Sequence, residues 1–268
     1  MGTALFAQPS IATGGVLNAG SFTKDSQGHG TAVAPGSLVA IFGSFPGATV
    51  AAADTIPYST SLGGISVTFN GTQAALQATA PTGAFPFVTA QVPFEVLGNS
   101  QTSTTAQVVV TVNGQPSAAI STPIVASSPG IFTIPPDGQS NAVLVFVDTD
   151  GTAKIAASTS ANLGYPTAPM ARGASGFFYA TGLGALNPSI SDGDGGIDGT
   201  THEANLKPVV TIGGMSTEVD YYGPSGYPGV YQVNIVVPQN APTGDGIPLV
   251  VTTPDGSVTS NTAKVSIK

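Results

Sequence analysis

The chain has 268 residues, enough for two domains of ordinary size, and 41% of them are apolar, enough to give each domain a core. Only 7% are Asp, Glu, Lys or Arg, against roughly 25% in an average soluble domain. The net charge is −8 and the six basic residues are scattered, which excludes a phosphate-neutralising stripe and hence nucleic acid as a partner; the lack of cysteine excludes disulfides and thiolate metal sites.

The chain opens on Gly2-Thr3-Ala4-Leu5-Phe6-Ala7 and then Gln8-Pro9. This reads like the end of a secretory signal, with small Ala7 before a cleavage point, but without the basic start and long apolar stretch. Met1 therefore reads as an internal methionine of a longer precursor or a wrongly chosen start. No later window of about 18 apolar residues offers a transmembrane helix, and the expected location is secreted, extracellular or on the cell surface. Residues 1–12 are set apart as an extended N-terminal segment. Within it, Ala4, Leu5, Phe6 and Ala7 can add a strand to an exposed sheet edge.

From there the pattern is β. No window of about 11 residues sustains an apolar 3.6-residue period with caps. Ile65-Ser66-Val67-Thr68-Phe69 alternates and meets Asn70-Gly71, the strongest short hairpin signal. Val108 to Val112 meets Asn113-Gly114 in the same way, Ala142 to Val147 meets Asp148-Thr149-Asp150-Gly151, and Val250 to Thr253 meets Pro254-Asp255-Gly256. The last strand alternates Ala263, Val265 and Ile267 inward with Lys264, Ser266 and Lys268 outward.

These elements occur twice in the same order. Leu38–Gly43 is answered by Phe177–Gly182, Val67–Gly71 by Val210–Gly214, and Gln91-Val92-Pro93 by Val236-Val237-Pro238. Val16 to Phe22 precedes the first copy as Asn141 to Phe146 precedes the second. Many short strands with regular turn signals mean a sandwich or barrel. The expectation is an all-β chain of two tandem immunoglobulin-like β-sandwich domains related by internal duplication, spanning 13–130 and 131–268. The cut falls near Ser127-Ser128-Pro129-Gly130, and Pro135-Pro136 is expected to act as a stiff connection.

The strings VLNAGSF, APGSLVAIFG, SLGGISVTFNG, AQVPFEV and SPGIF, then ARGASGFFYATGLGALNP, VVTIGGM, GVYQVNIVVP and TSNTAKVSI, resemble the Solibacter-type C-terminal domain family of secreted bacterial proteins. The resemblance covers about residues 14–268. It implies secretion and an IPT/TIG-like immunoglobulin fold, and it supplies no active site whose residues could be transferred. The acidic stretch 192–198 departs from the family pattern as an insertion.

Catalytic chemistry finds little material. His29 and His202 both lie in loop sequence and read as solvated, and no Gly-x-Ser-x-Gly elbow occurs. Of three Glu, Glu95 ends a strand and Glu218 alternates outward beside Asp220. No acid–base pair emerges and no enzyme is expected. The loop Asp192-Gly193-Asp194-Gly195-Gly196-Ile197-Asp198 could wrap Ca²⁺ through Asp192, Asp194 and Asp198; a solvated surface loop is the competing reading. Otherwise no cofactor is expected. Tyr221, Tyr222, Tyr227 and Tyr231 cluster with Pro224 and Pro228. Tyr221, Tyr222 and Tyr227 are candidates for a sugar-stacking platform or an interface anchor, with corner packing as the alternative.

Two functional readings follow. The first is an extracellular structural subunit, whose partners are copies of itself, in a homopolymeric filament or surface layer built by strand addition from residues 1–12. The alternative is a cell-surface adhesin or carbohydrate-binding module with a glycan as partner.

Overall fold

A computed structural model describes residues 7–98 and 101–268. The described residues form strands and turns, with a single short 3₁₀ turn at Phe94–Val96 and no α-helix. The fold is two tandem immunoglobulin-like β-sandwiches, each with its own buried cluster.

In the first sandwich one sheet runs Ser10–Asn18, Leu38–Ser44, Phe87–Gln91, Leu76–Ala80, Ala51–Ala52. The facing sheet runs Ile120–Val125, Ser103–Val112, Ile65–Phe69, Thr72–Gln73. Alternation does the work that the sequence promises: Ile65, Val67 and Phe69 are buried, and Ala106, Val108, Val110 and Val112 meet them from the neighbouring strand. Asn70 (φ 49°) and Gly71 (φ 86°) both take positive φ, as do Asn113 (φ 48°) and Gly114 (φ 82°). A two-residue hairpin whose twist matches its strands needs that geometry.

The second sandwich repeats the plan. Ser175–Thr181 and Tyr231–Val236 pair as Leu38–Ser44 and Phe87–Gln91 do. Leu144–Val147 flanks Ser175–Thr181 as Ser10–Asn18 flanks Leu38–Ser44. The opposite sheet orders Thr133–Ile134, Asn141–Ala142, Ala263–Ile267, Gly244–Thr252, Val209–Ile212, Met215–Ser216. Its core is built around Phe178, Leu144, Met170, Ile212 and Ile235, all fully or almost fully buried.

Two features differ from the sequence expectation. Pro135–Pro136 does not join the domains; it turns the chain between Thr133–Ile134 and Asn141–Ala142, both strands of the second sandwich. Hydrogen bonds join the two domains side by side instead. Ser128 on the crossing segment donates its N–H to Gly182 O (2.8 Å) and its hydroxyl to Ala32 O (2.6 Å), and it accepts at its own carbonyl from Asn18 Nδ2 (2.9 Å). Leu38 N–H, in the first domain, donates to the buried Thr181 hydroxyl at 2.7 Å, and that hydroxyl donates to Gly229 O at 2.6 Å.

The second difference concerns the N-terminal segment. Ala4, Leu5 and Phe6 lie outside the described residues, and Ala7 is exposed. From Ser10 the chain is a strand of its own domain, paired with Leu38–Ser44 at Ser10 and Ile11 and again from Val16 to Asn18, with a register shift between. Gln8 also holds its own domain, through Pro116 O at 3.0 Å.

Candidate functional site

The two domains meet along a cleft of about 320 Å³ lined by Leu38 and Gln77 from the first and Phe132, Val143, Tyr179, Tyr227 and Val230 from the second. Domain junctions are a preferred place for ligand sites, and this volume falls at the small end of their usual range.

The local sequence explains how the side chains arrive there. Ser175–Thr181 turns Phe178 and Ala180 into the core, so Phe177 and Tyr179 face outward, with ring centroids 5.5 Å apart edge to face. The adjacent strand buries Tyr231, Val233 and Ile235 and turns Gln232 and Asn234 outward. Gln232 pairs directly with Tyr179, and Asn234 with Phe177. The Gln232 amide donates to Asn234 Oδ1 at 2.7 Å. The outer face of this sheet is thus a half-buried stripe of rings and amides that runs into the cleft. Tyr227, on the turn before Tyr231, is 58% exposed and forms the outer lip. Opposite it, burial raises the Tyr58 phenol pKa.

None of the cleft-lining residues carries a charge. Flat rings can stack on the C–H faces of a sugar, and the Gln77 and Gln232 amides can meet its hydroxyls as both donors and acceptors. A larger groove of about 440 Å³ lies under the exposed Phe85 in the first domain, against Ala12, Leu17 and Phe42, with Lys24 as its one charged residue.

The structure divides the candidate tyrosines. Tyr227 faces the cleft. Tyr221, half-buried, donates its hydroxyl to Pro224 O at 2.9 Å. Tyr222 packs against the second core, with Lys207 Nζ 5.8 Å from its ring centroid. Tyr231 is 3% exposed and donates to Gly184 O, and burial pushes its phenol pKa up. Phe132 and Tyr179 escaped the sequence reading. The Phe177-Phe178-Tyr179 run shows rings on both faces of one strand, and periodicity alone does not say which face a core covers.

The acidic loop makes contacts across the domain junction. Asp192 Oδ1 accepts from Phe94 N–H at 3.0 Å across the domain junction. Gly193 donates to the buried Gln91 side chain at 2.6 Å and accepts from Tyr58 N–H at 2.8 Å. Gly195 O accepts from Gly226 N–H at 3.1 Å. Asp194 holds Gly196 N–H at 2.9 Å, and Asp198 turns to His202. The three carboxylates thus have separate partners, and among the described residues no group of three or more His, Cys, Asp or Glu is placed to share a metal ion.

Neither is His202 a solvated loop residue. Its side chain is 3% exposed, with Nδ1 2.7 Å from Pro188 O and Nε2 3.1 Å from Asp198 Oδ1. The Pro188 carbonyl, then Asp198, raise its pKa above the usual imidazole value. His29 does stand in the open, 49% exposed beside Asp25.

Glu95 follows the cross-domain contact directly, on the Phe94–Val96 turn. Burial, with Glu95 adding to it, raises the Asp192 pKa to about 6.

No known protein family matches the chain, and no curated protein matches it. Three solved structures show partial likeness. One is the SGBP-B protein of a Bacteroides ovatus mixed-linkage glucan utilization locus, in complex with a mixed-linkage heptasaccharide: 10% identity, TM-score 0.32, covering 88% of this chain. The chain spans 42% of that protein's length. Another is a tandem pair of titin immunoglobulin domains: 8% identity, TM-score 0.21, covering 99% of this chain and 98% of that one. The third is the sialic acid binding region of a Streptococcus sanguinis adhesin bound to 3'sLn: 13% identity, TM-score 0.18, covering 97% of this chain and 77% of that one. At such identities and TM-scores none of them assigns a function to this chain. Among the described residues no helix is long and apolar enough to cross a membrane.

Proposed function

We propose that this protein is a non-catalytic binding module, acting outside the cell, that takes a neutral carbohydrate chain along the outer face of the second sandwich and into the interdomain cleft. One observation carries this reading: Phe177, Tyr179, Gln232 and Asn234 form a ring-and-amide stripe that leads to Phe132, Gln77 and Tyr227. Stacking plus amide hydrogen bonding suits a polyol with apolar ring faces, and an uncharged lining gives an anionic sugar no partner. Strand-donating self-assembly gains no support from the described residues, because Ser10–Asn18 is paired within its own domain.

The test is an array of neutral and sialylated oligosaccharides, including mixed-linkage glucan, followed by calorimetry on the best binder. The expected result is binding of neutral chains and none of sialylated ones. Tyr227→Ala should weaken it roughly thirtyfold, the loss of one aromatic anchor of about 2 kcal/mol, while the melting temperature stays near that of the parent because Tyr227 is largely exposed. An array without a neutral hit, or a Tyr227→Ala affinity equal to that of the parent, rejects the cleft as the site.

A further inference from the structure

We propose that the groove under Phe85 is a docking face for the second domain of another copy of this chain, so that molecules join head to tail. The internal duplication carries the argument, because strand register gives positions around the groove their counterparts in the other domain. Gly36 N–H donates to Val92 O and Gly173 N–H to Val237 O, both at 2.8 Å, so the two copies start from the same anchor. Leu38 then faces Gln91 as Ser175 faces Val236, and further along Phe42 faces Phe87 as Tyr179 faces Gln232. On the other side of that strand, Ile11 faces Gly43 as Ile131 faces Ala180, and Val16 faces Ile41 as Leu144 faces Phe178. Ala12, Gly15 and Phe42, which line the groove, therefore stand where Phe132, Val143 and Tyr179 line the interdomain cleft. Phe85 and Tyr227 are each an exposed ring on the turn before the paired strand.

In the second domain this face has a neighbour. Leu38 and Gln77 of the first domain close over it, and Leu38 N–H bonds the Thr181 hydroxyl at 2.7 Å. In the first domain the same face is open. Ser44, at the register position of Thr181, lines the groove, and Phe85 is 78% exposed. An apolar face that one repeat covers and the other leaves bare calls for the same kind of occupant, an immunoglobulin-like domain presenting the start of its strand. The second domain has that surface to offer. Ser175, the counterpart of Leu38, is exposed. Leu76 faces Ala90 as Val219 faces Ile235, with a register shift after each, so Asp220 is the counterpart of Gln77. Asp220 and its neighbour Glu218 are exposed, and among the described residues neither is in an ion pair. Lys24, the one charged residue lining the groove, is likewise unpaired. Asp220 in the place of Gln77 thus brings a carboxylate to a groove whose single charge is an ammonium. A contact between two different faces leaves one free face at each end and can extend. No strand is donated, and the contact does not rest on the binding function proposed above.

Analytical ultracentrifugation of the parent and its variants is the test. The parent, 26.4 kDa as a monomer, should show a weight-average mass that climbs between about 10 µM and about 1 mM, and climbs less in high salt. Phe85→Ser removes an exposed ring without touching the core and should weaken association about thirtyfold. Lys24→Glu and Asp220→Lys should each weaken it about tenfold, and both together in one chain should restore it. Phe85→Ser spoils the groove and Asp220→Lys spoils the opposite face. At a concentration where neither variant associates alone, their mixture should therefore form pairs and stop at two. A parent that stays monomeric throughout, whether the groove holds a different partner or none, overturns the proposal. Association that Phe85→Ser leaves unchanged, a double charge variant no better than the single ones, or a mixture that forms no pairs does the same.

Discussion

Thr181→Val is expected to destabilise the protein by about 3 kcal/mol and to loosen the domain junction. The Thr181 hydroxyl is fully buried, accepts from Leu38 N–H in the first domain and donates to Gly229 O in the second. Valine fills nearly the same volume, so no cavity is left. What it leaves is a buried N–H and a buried C=O without partners, and each such orphan costs about 1–3 kcal/mol. Thr181→Ser restores both hydrogen bonds and loses only a methyl, about 1 kcal/mol. Guanidinium unfolding of parent, valine and serine forms checks the order: serine close to the parent, valine well below. Equal midpoints for valine and parent would show that the hydroxyl bridge contributes nothing to stability.

Gly182→Ala, one residue further on, carries the second large effect. Gly182 has φ +80°, and a Cβ there would stand 2.0 Å from Ser128 O, on the segment that crosses between the domains. That carbonyl also accepts from Asn18 Nδ2, so it cannot swing away without breaking another contact. Gly151 is the internal control: its φ is +79°, and a Cβ would meet nothing within 4 Å. Both substitutions bear the left-handed backbone penalty of about 1–2 kcal/mol. Only Gly182→Ala must also displace packed backbone, for at least another 1–3 kcal/mol. Thermal unfolding should place Gly151→Ala a few degrees below the parent and Gly182→Ala much lower. Matching melting temperatures for the two would mean that the crossing segment yields freely.

Much of the fold was legible because its signals are local. Asn70-Gly71 and Asn113-Gly114 form hairpins because two adjacent residues settle their own backbone. Ile65, Val67 and Phe69 point inward because a period of two is a property of one strand. The duplication was legible because corresponding strands hold the same neighbours in both sandwiches.

The site was less legible, because each of its parts has two meanings in one dimension. Asp192-Gly193-Asp194-Gly195 suits a cation loop or a solvated turn. It reaches across the domain junction because Phe94, almost a hundred positions earlier, presents an N–H to it. His202 sits in polar loop sequence, yet Pro188 and Asp198 enclose it. Tyr221, Tyr222 and Tyr227 look alike as a cluster, and only the packing of Pro224, of Lys207 and of the opposite domain separates them.

The amino-acid order alone determined the all-β class, the internal repeat, the hairpin turns and the shortage of charge, since these depend on residues within a few positions of one another. The tertiary structure decided the domain angle, the cleft and the partner of every acidic loop residue. Those depend on contacts between segments far apart in the chain, where any of several surfaces satisfies the same local pattern and only close packing selects one.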